Sequence, residues 1–534
     1  MTKNPSRPLA APSLALPPDT GRIGDLLVEA IARFGPRVAF IDGDCAIRYE
    51  ALGRRIAQAL AGLEALGLRR GDAVAQLAGN RIETFCLMAA CYIGGYRSVT
   101  LHTAAGAQDH AAILADCAAR LVVSEHAQAA RMDWLRAHCP PGLQWRSHDE
   151  GDGVPGFWRN TDEARGDAAL QVVGEPGDIV RLAYTGGTTG RAKGVMLSSR
   201  AMRTNTQLWL AGIDWPDGVR TLCSAPISHG AGSLIYPTLA RGGTVVLQHG
   251  FTVPSWFEAV ARHRIQHTFI VPTMLYALLD AHEEARRHDL GSLRALVYGA
   301  APASPSRIRQ ALELFGPVLV QTYGQTEAPN TILLLDQQAH ADASDLQLAA
   351  AGRPFPGVDV ALMHEDGQAV AHGEVGEICV RGDLLMSGYH GQPEQTRATV
   401  REGWLRTGDM ARRDSQGLFH IVDRKKDMVI TGGFNVYPRE IEDVLSAHPA
   451  VAAVAVIGVP DAKWGEAVKA VVVLRAGHAA TPEALIAYVR ERKGAVCVPK
   501  TIDFVDQVPL TGLGKPDKKA LRKRYWAEHQ REIA

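Results

Sequence analysis

Several things are missing from this chain of 534 residues, and each absence excludes something. There is no charge imbalance: 57 Lys and Arg stand against 57 Asp and Glu. A general basic field for nucleic acid is therefore absent, although a local basic patch is not excluded. There is no apolar run near the roughly 18 residues that a membrane-spanning helix needs. VAAVAVIGV, starting at Val451, is about half that length and reads as a buried strand. None of the eight cysteines (Cys45, Cys86, Cys91, Cys117, Cys139, Cys223, Cys379, Cys497) sits in a CxxC pair, and their spacing fits no zinc site. Reduced thiols in a cytoplasmic protein are the expectation. The first twenty residues, MTKNPSRPLAAPSLALPPDT, have no continuous apolar segment, so they read as a flexible leader rather than a signal peptide. No internal repeat is visible, and beyond the leader there is no low-complexity tract.

What is present is ordinary for a globular protein: 46% hydrophobic and 21% charged residues. Short apolar runs ending in Gly, Pro or Ser alternate with helical patterns through about the first 400 residues. Examples are DIVRLAYTGG, RTLCSAP, GGTVVLQ, HTFIVP, LRALVYGA and VLVQTYG, with SWFEAVARHR and PSRIRQALELF between some of them. This alternation predicts an α/β protein with parallel sheets covered by helices and ligands at the carboxyl ends of the strands. From about Gly352 the pattern becomes more β-like. The charged segment DRKKD then precedes a compact α+β unit that ends in a basic helix. The expected division is a leader over 1–20, a large domain over 21–423 and a small mobile domain over 424–534.

YTGGTTGRAKG, Tyr184 to Gly194, follows a strand pattern and precedes a helix that Ser198 or Ser199 can cap. Its glycines let backbone N–H groups approach an anion, its threonines add donors and Lys193 adds charge, which favours a phosphate loop over a plain turn. The P-loop of kinases and GTPases needs Ser or Thr after its Lys, and here Gly194 follows. In TYGQTEA, Tyr323 can present a ring to a base, Thr326 can bond a phosphate and Glu327 can hold a divalent cation. Asp409 in RTGD, taken alone, is a turn residue. His229 alone is a packed histidine, Trp464 alone an ordinary aromatic, and KKALRKRY by default a solvated helix face.

Taken in order, YTGGTTGRAKG, APISHGAG, YGAAPAS, YGQTE, GEICVRG, GWLRTGD, DRKKDMVITGGFNVYPREIE and GKPDKK resemble the adenylate-forming superfamily. That superfamily includes acyl- and aryl-CoA synthetases, peptide-synthetase adenylation domains and firefly luciferase. The resemblance spans about Ile23 to Tyr525. It implies that Thr185, Gly187, Thr188, Thr189, Gly190 and Lys193 handle the phosphates of ATP. It places Gly299, Ala300, Ala301 and Pro302 beside the adenine, with Tyr323 stacking on it and Gly324 next in the same motif. Thr326 then contacts the α-phosphate, Glu327 binds Mg²⁺, Asp409 takes the ribose hydroxyls, and Arg424 makes a second ribose or a phosphate contact. Lys426 matches the hinge, Gly432, Gly433 and Trp464 the CoA contacts, and Lys515 the lysine that reaches in from the C-terminal domain. His229, Gly230 and Ala231 border the acyl pocket.

The implied activity is ATP-dependent carboxylic acid–CoA ligation through an acyl adenylate, with ATP, Mg²⁺ and CoA as cofactor and co-substrates. Its substrate is a monocarboxylic acid with an apolar body. A medium- or long-chain fatty acid is the first expectation. The alternatives are an aryl acid, or transfer to the phosphopantetheine of a carrier protein. A silent nucleotide-binding module would be expected to lack Glu327 or Lys515, and both are present. A homo-oligomer is allowed, and no nucleic-acid partner is expected. The chain departs from the family pattern at Gly186, usually Ser, and at Ala192, usually Pro; a more mobile loop is expected.

Overall fold

The computed structural model describes residues 21–150, 153–158, 169–185, 193–341, 343–431, 434–461, 464–494, 497–510 and 516–526; for Thr185, Phe434 and Asn435 it describes the backbone alone. Two large sheets dominate. The first has nine strands, in the order Arg353–Pro354, Ala328–Leu335, Leu319–Gln325, Ala295–Gly299, His267–Ile270, Arg220–Cys223, Thr244–Leu247, Val38–Asp42 and Cys45–Arg48. The strands from Leu319–Gln325 to Val38–Asp42 are parallel, and the outer pairs are antiparallel. The second has seven strands, with Gln144–Ser147, Ala119–Ser124, Ala73–Leu77, Arg97–Thr100 and Ile179–Thr185 parallel, and Lys193–Ser198 and Gly388–Tyr389 antiparallel at one edge.

The parallel expectation therefore holds for the sheet centres. Two of the antiparallel edge pairs, Leu319–Gln325 with Ala328–Leu335 and Ile179–Thr185 with Lys193–Ser198, are hairpins that return the chain beside a motif.

The helix Ile82–Gly94 shows why the two sheets form one core. Its sequence, IETFCLMAACYIG, is apolar on all sides, and such a helix must be covered all round. Every residue from Thr84 to Ile93 is buried. Phe85 meets Phe40 of the nine-stranded sheet at 4.7 Å between ring centroids, and the same core takes in Val74, Val123 and Val180 of the seven-stranded one. Burying one such side chain contributes about 1.5–3 kcal/mol.

A third sheet, wholly antiparallel, joins Asp359–Met363, Gly376–Arg381, Trp404–Arg413, Val400–Arg401 and Phe419–Arg424. After a 3₁₀ turn at Lys425–Asp427, a fourth sheet starts at Val429–Thr431 and continues with Phe434–Val436, Val451–Asp461, Gly465–Leu474 and Thr501–Phe504. It carries the helices Pro438–Ser446, Pro482–Lys493 and Lys518–Trp526. Arg424 ends one sheet and Val429 opens the next; the expected boundary, between residues 423 and 424, falls at the end of that strand, one residue before the turn. Among the described residues, no helix is long and apolar enough to cross a membrane. All eight cysteines are free thiols.

Candidate active site

One hairpin organises the site. The strand Leu319–Gln325 runs past VLVQ through Tyr323 and Gly324, turns at Thr326 and Glu327, and returns as Ala328–Leu335. The TYGQTEA stretch, expected after the strand, is thus largely strand and turn. The two arms are closely packed: a Cβ on Gly324 would lie 2.4 Å from the Asn330 backbone nitrogen, so no larger residue fits without moving the hairpin.

On one flank of the hairpin, the Tyr323 hydroxyl donates to Asp409 Oδ2 at 2.6 Å. Arg424 Nε lies 3.4 Å from Asp409 Oδ1, and the two residues are register partners in neighbouring strands. Asp409 is 8% exposed, and its backbone N–H donates to Thr407 Oγ1. Burial first, and the Asp409 charge next, push the Tyr323 hydroxyl well above its usual pKa, so it remains a donor. The Arg406–Glu377 pair, at 3.3 Å and almost fully buried, fixes the turn before Asp409, because Glu377 also accepts the Gly408 N–H.

At the hairpin tip, Glu327 Oε1 accepts the Tyr389 hydroxyl at 2.8 Å, and the Glu327 carbonyl accepts the Met386 N–H. Lys193 Nζ stands 5.1 Å over the Tyr389 ring. Tyr389 therefore joins the lysine of the glycine-rich segment to the carboxylate of the hairpin. No such role for Tyr389 was visible in the sequence, because it depends on the pairing of Gly388–Tyr389 with Met196 and Val195. Glu327 Oε2 accepts no hydrogen bond from the described residues. One open carboxylate oxygen suits Mg²⁺, which takes one or two carboxylates together with substrate phosphates and water.

Lys193 opens a strand, Lys193–Ser198, where the sequence had suggested a direct passage into the helix. Tyr184 pairs across from Gly194, and a Cβ at Gly194 would meet the Tyr184 ring at 2.9 Å. A Ser or Thr after Lys193 would clash there. Ser198 caps the following helix by accepting the Ala201 N–H, as expected. The backbone of Thr185 pairs with Lys193. Gly186, Gly187, Thr188, Thr189, Gly190 and Ala192 lie outside the described residues, as do Gly432, Gly433 and Lys515.

On the other flank, Asn330 has a left-handed backbone (φ 54°), and its side chain donates to Ser233 Oγ at 3.0 Å and to the Gly230 carbonyl at 3.4 Å. Asn205, buried, holds the same segment by donating to the Pro329 carbonyl and to Thr331 Oγ1. These contacts bring the His229–Gly230–Ala231 segment against the hairpin. His229 is exposed, edge-on to His102 at 5.0 Å. The protein around it first, then His102 and Arg181, lower its imidazole pKa. Arg181, whose guanidinium donates to the Ser228 carbonyl, is a cation near this segment that the sequence reading did not find. Gly299 ends its strand opposite Thr322, Ala300 is left-handed (φ 66°), and Ala301 and Pro302 follow.

The C-terminal contribution departs from expectation in one respect. KKALRKRY is solvated on one side only: Lys519, Lys523 and Arg524 are exposed, whereas Lys518 Nζ lies 2.9 Å from Glu442 Oε1 with both side chains largely buried, and Arg522 pairs with Asp427 and donates to the Lys426 carbonyl. Lys425 pairs instead with Glu365, in the loop after the third sheet's first strand. Lys426 thus sits between one residue tied back to the large domain and one tied forward to the terminal helix. Burial lowers the pKa of its amine, with Arg424 adding to the effect. Trp464 is 40% exposed on the fourth sheet's side, with Lys500 Nζ 5.5 Å over its ring.

Residues 27–390 match the AMP-binding enzyme family, and residues 440–515 match the AMP-binding enzyme C-terminal domain. The chain is 40% identical to a medium/long-chain-fatty-acid–CoA ligase of Mycobacterium tuberculosis, over 94% of this chain and 90% of that protein. It is 38% identical to a feruloyl-CoA synthase of an Amycolatopsis species, over 92% and 97%. The structure superposes on an amide bond synthetase of Marinactinospora thermotolerans with a TM-score of 0.87 at 34% identity, covering 94% of this chain and all of that one.

Proposed function

The chain belongs to the AMP-binding enzyme family, and from that premise we propose that it is an AMP-forming acid–CoA ligase acting on a medium- or long-chain fatty acid. The observation that carries the reading is the single hairpin that holds Tyr323 against Asp409 and Glu327 against Tyr389 and Lys193.

A carboxylate is a poor acyl donor, because its leaving group would be oxide. Attack of its oxygen on the α-phosphorus of ATP forms the acyl adenylate and releases pyrophosphate. The CoA thiol then attacks the acyl carbon, and AMP leaves. Tyr323 stacks on the adenine while Asp409 accepts the ribose hydroxyls, with Arg424 beside it. Lys193 and the segment before it hold the β- and γ-phosphates, and Thr326 contacts the α-phosphate. Glu327 would hold Mg²⁺, which would supply charge neutralisation as the anions meet. Lys515 adds an ammonium in the first step. Rotation about Lys426 then exchanges Lys515 for the segment containing Gly432 and Gly433, which leaves room for the pantetheine arm.

The wall formed by His229, Gly230 and Ala231 against Asn330 borders the acid. A second reading, an aryl acid, is favoured by the similarity to the feruloyl-CoA synthase and by the polar amide of Asn330 at that wall. A panel of alkyl and aryl acids in a pyrophosphate-release assay, with CoA or a phosphopantetheinylated carrier as acceptor, tests both. Release with fatty acids and thioester formation on free CoA are expected. Preference for cinnamic-type acids would move the assignment to the aryl reading, and thioester on the carrier alone would overturn the CoA acceptor.

A further inference from the structure

A groove of about 550 Å³ lies at the amino ends of three adjacent strands of the nine-stranded sheet, away from the hairpin. Arg220 opens the strand Arg220–Cys223, Gln266 precedes His267–Ile270, and Arg294 precedes Ala295–Gly299. Backbone bonds from Gln266 N–H to the Arg220 carbonyl and from Arg294 N–H to the Gln266 carbonyl hold them level. Arg264, left-handed at φ 49° where the chain leaves a helix, brings a third guanidinium to the same groove. Neighbouring strands are about 4.8 Å apart, so Arg220 and Arg294 flank Gln266 at two strand spacings, roughly 10 Å.

The charges here are poorly compensated. Arg264 is 3.7 Å from Asp289, with both side chains mostly exposed. Among the described residues Arg294 has no ion pair, and Arg220 Nε is buried without a hydrogen-bond partner. A second cavity of about 230 Å³ shares Arg294 and is lined also by Asp214, Gln337 and His267. His267 is fully buried, and neither ring nitrogen has a partner. Burial first, then Arg294, push its pKa down to about 4, so at neutral pH the ring is uncharged with one N–H to donate. Three guanidinium groups thus line the groove, Asp289 pairs with one of them, and the unpartnered imidazole stands in the adjoining cavity that shares Arg294. Guanidinium forks match phosphate oxygens two at a time.

We propose that this groove binds a small molecule bearing a phosphate or polyphosphate group, as a second anion site at the opposite end of the sheet from Tyr323 and Asp409. The strand Ala295–Gly299 runs from one end to the other, so the two sites are separated by about its length, roughly 15 Å. Occupancy of the groove is independent of the ligase reading.

Calorimetric titration of the full-length protein with inorganic tripolyphosphate tests it, using wild type, Lys193→Ala and the double variant Arg264→Ala with Arg294→Ala. Wild type should show two classes of site. Lys193→Ala should weaken one, and the arginine variant should weaken the other at least tenfold. Both arginines are exposed, so an unchanged melting curve will show that the variant folds. Glucose 6-phosphate in place of tripolyphosphate separates a monoester site from a polyphosphate site, and arginine-dependent binding of either supports the groove. Binding of both probes unaffected by the arginine substitutions, or a single class of site abolished by Lys193→Ala, would overturn it. Loss of the Lys193-sensitive class alone would instead count against the phosphate loop of the ligase reading.

Discussion

The large-domain half of the site and the segment that leads to the C-terminal domain are held in different ways. In the first, the side chains of the proposed site stand on paired strands: Asp409 opposite Arg424, Tyr389 opposite Val195, Tyr323 opposite Leu333. Their hydrogen bonds follow from a register that cannot slip without turning buried residues outward. In the second, Lys425 and Asp427, on either side of Lys426, are held by side-chain ion pairs that point in opposite directions, to Glu365 and to Arg522. Sheet pairing makes a rigid surface. Ion pairs around a short turn make a joint whose contacts can be exchanged. A two-step ligase needs one of each, because the adenylate must stay in place while the surface facing it changes.

The largest expected effect lies on the jointed side. Lys518→Met leaves Glu442 buried without its partner, and removing one member of a buried pair costs about 3–5 kcal/mol. Thermal unfolding should occur at clearly lower temperature. Adding Glu442→Gln, which removes the charge but keeps an acceptor for the Val456 N–H, should recover much of the loss, and equal melting of the single and double variants would show that the pair does not act as a unit. Next, on the rigid side, Glu327→Ala should slow acid-dependent pyrophosphate release by about 10²–10³, with little change in melting. A fall below tenfold would remove Glu327 from the charge-neutralising role. Lys426→Pro should slow thiolation of a supplied acyl adenylate more than adenylation, and unchanged thiolation would break the contrast between joint and surface. Tyr389→Phe removes one hydrogen bond to a carboxylate, worth about 1.5–3 kcal/mol at most; a higher KM for ATP with kcat largely kept is expected. Gly186→Ser should change the KM for ATP least of all.

The same contrast explains what the sequence disclosed. Tyr323, Glu327 and Asp409 sit in short contiguous motifs, and the sheet brings those motifs together as their order suggests. The helix Pro305–Phe315 and the capping Ser198 were legible because periodicity and caps are local signals. Lys193–Ser198 was missed as a strand because six residues between a glycine-rich segment and a helix show little alternation. Tyr389, Arg181 and Asn330 gain their positions from long-range pairing, which no local pattern announces. Arg522 looked solvated because its partner, Asp427, is 95 residues away in sequence.

The account turns on the exchange of one surface for another around a fixed nucleotide site, so the most direct measurement separates the two steps in Lys515→Ala. Acid-dependent pyrophosphate release and CoA thiolation of a supplied acyl adenylate should be assayed on the same preparation. The account predicts that the first is lost by about 10²–10³ while the second is largely kept. Equal loss of both would contradict it.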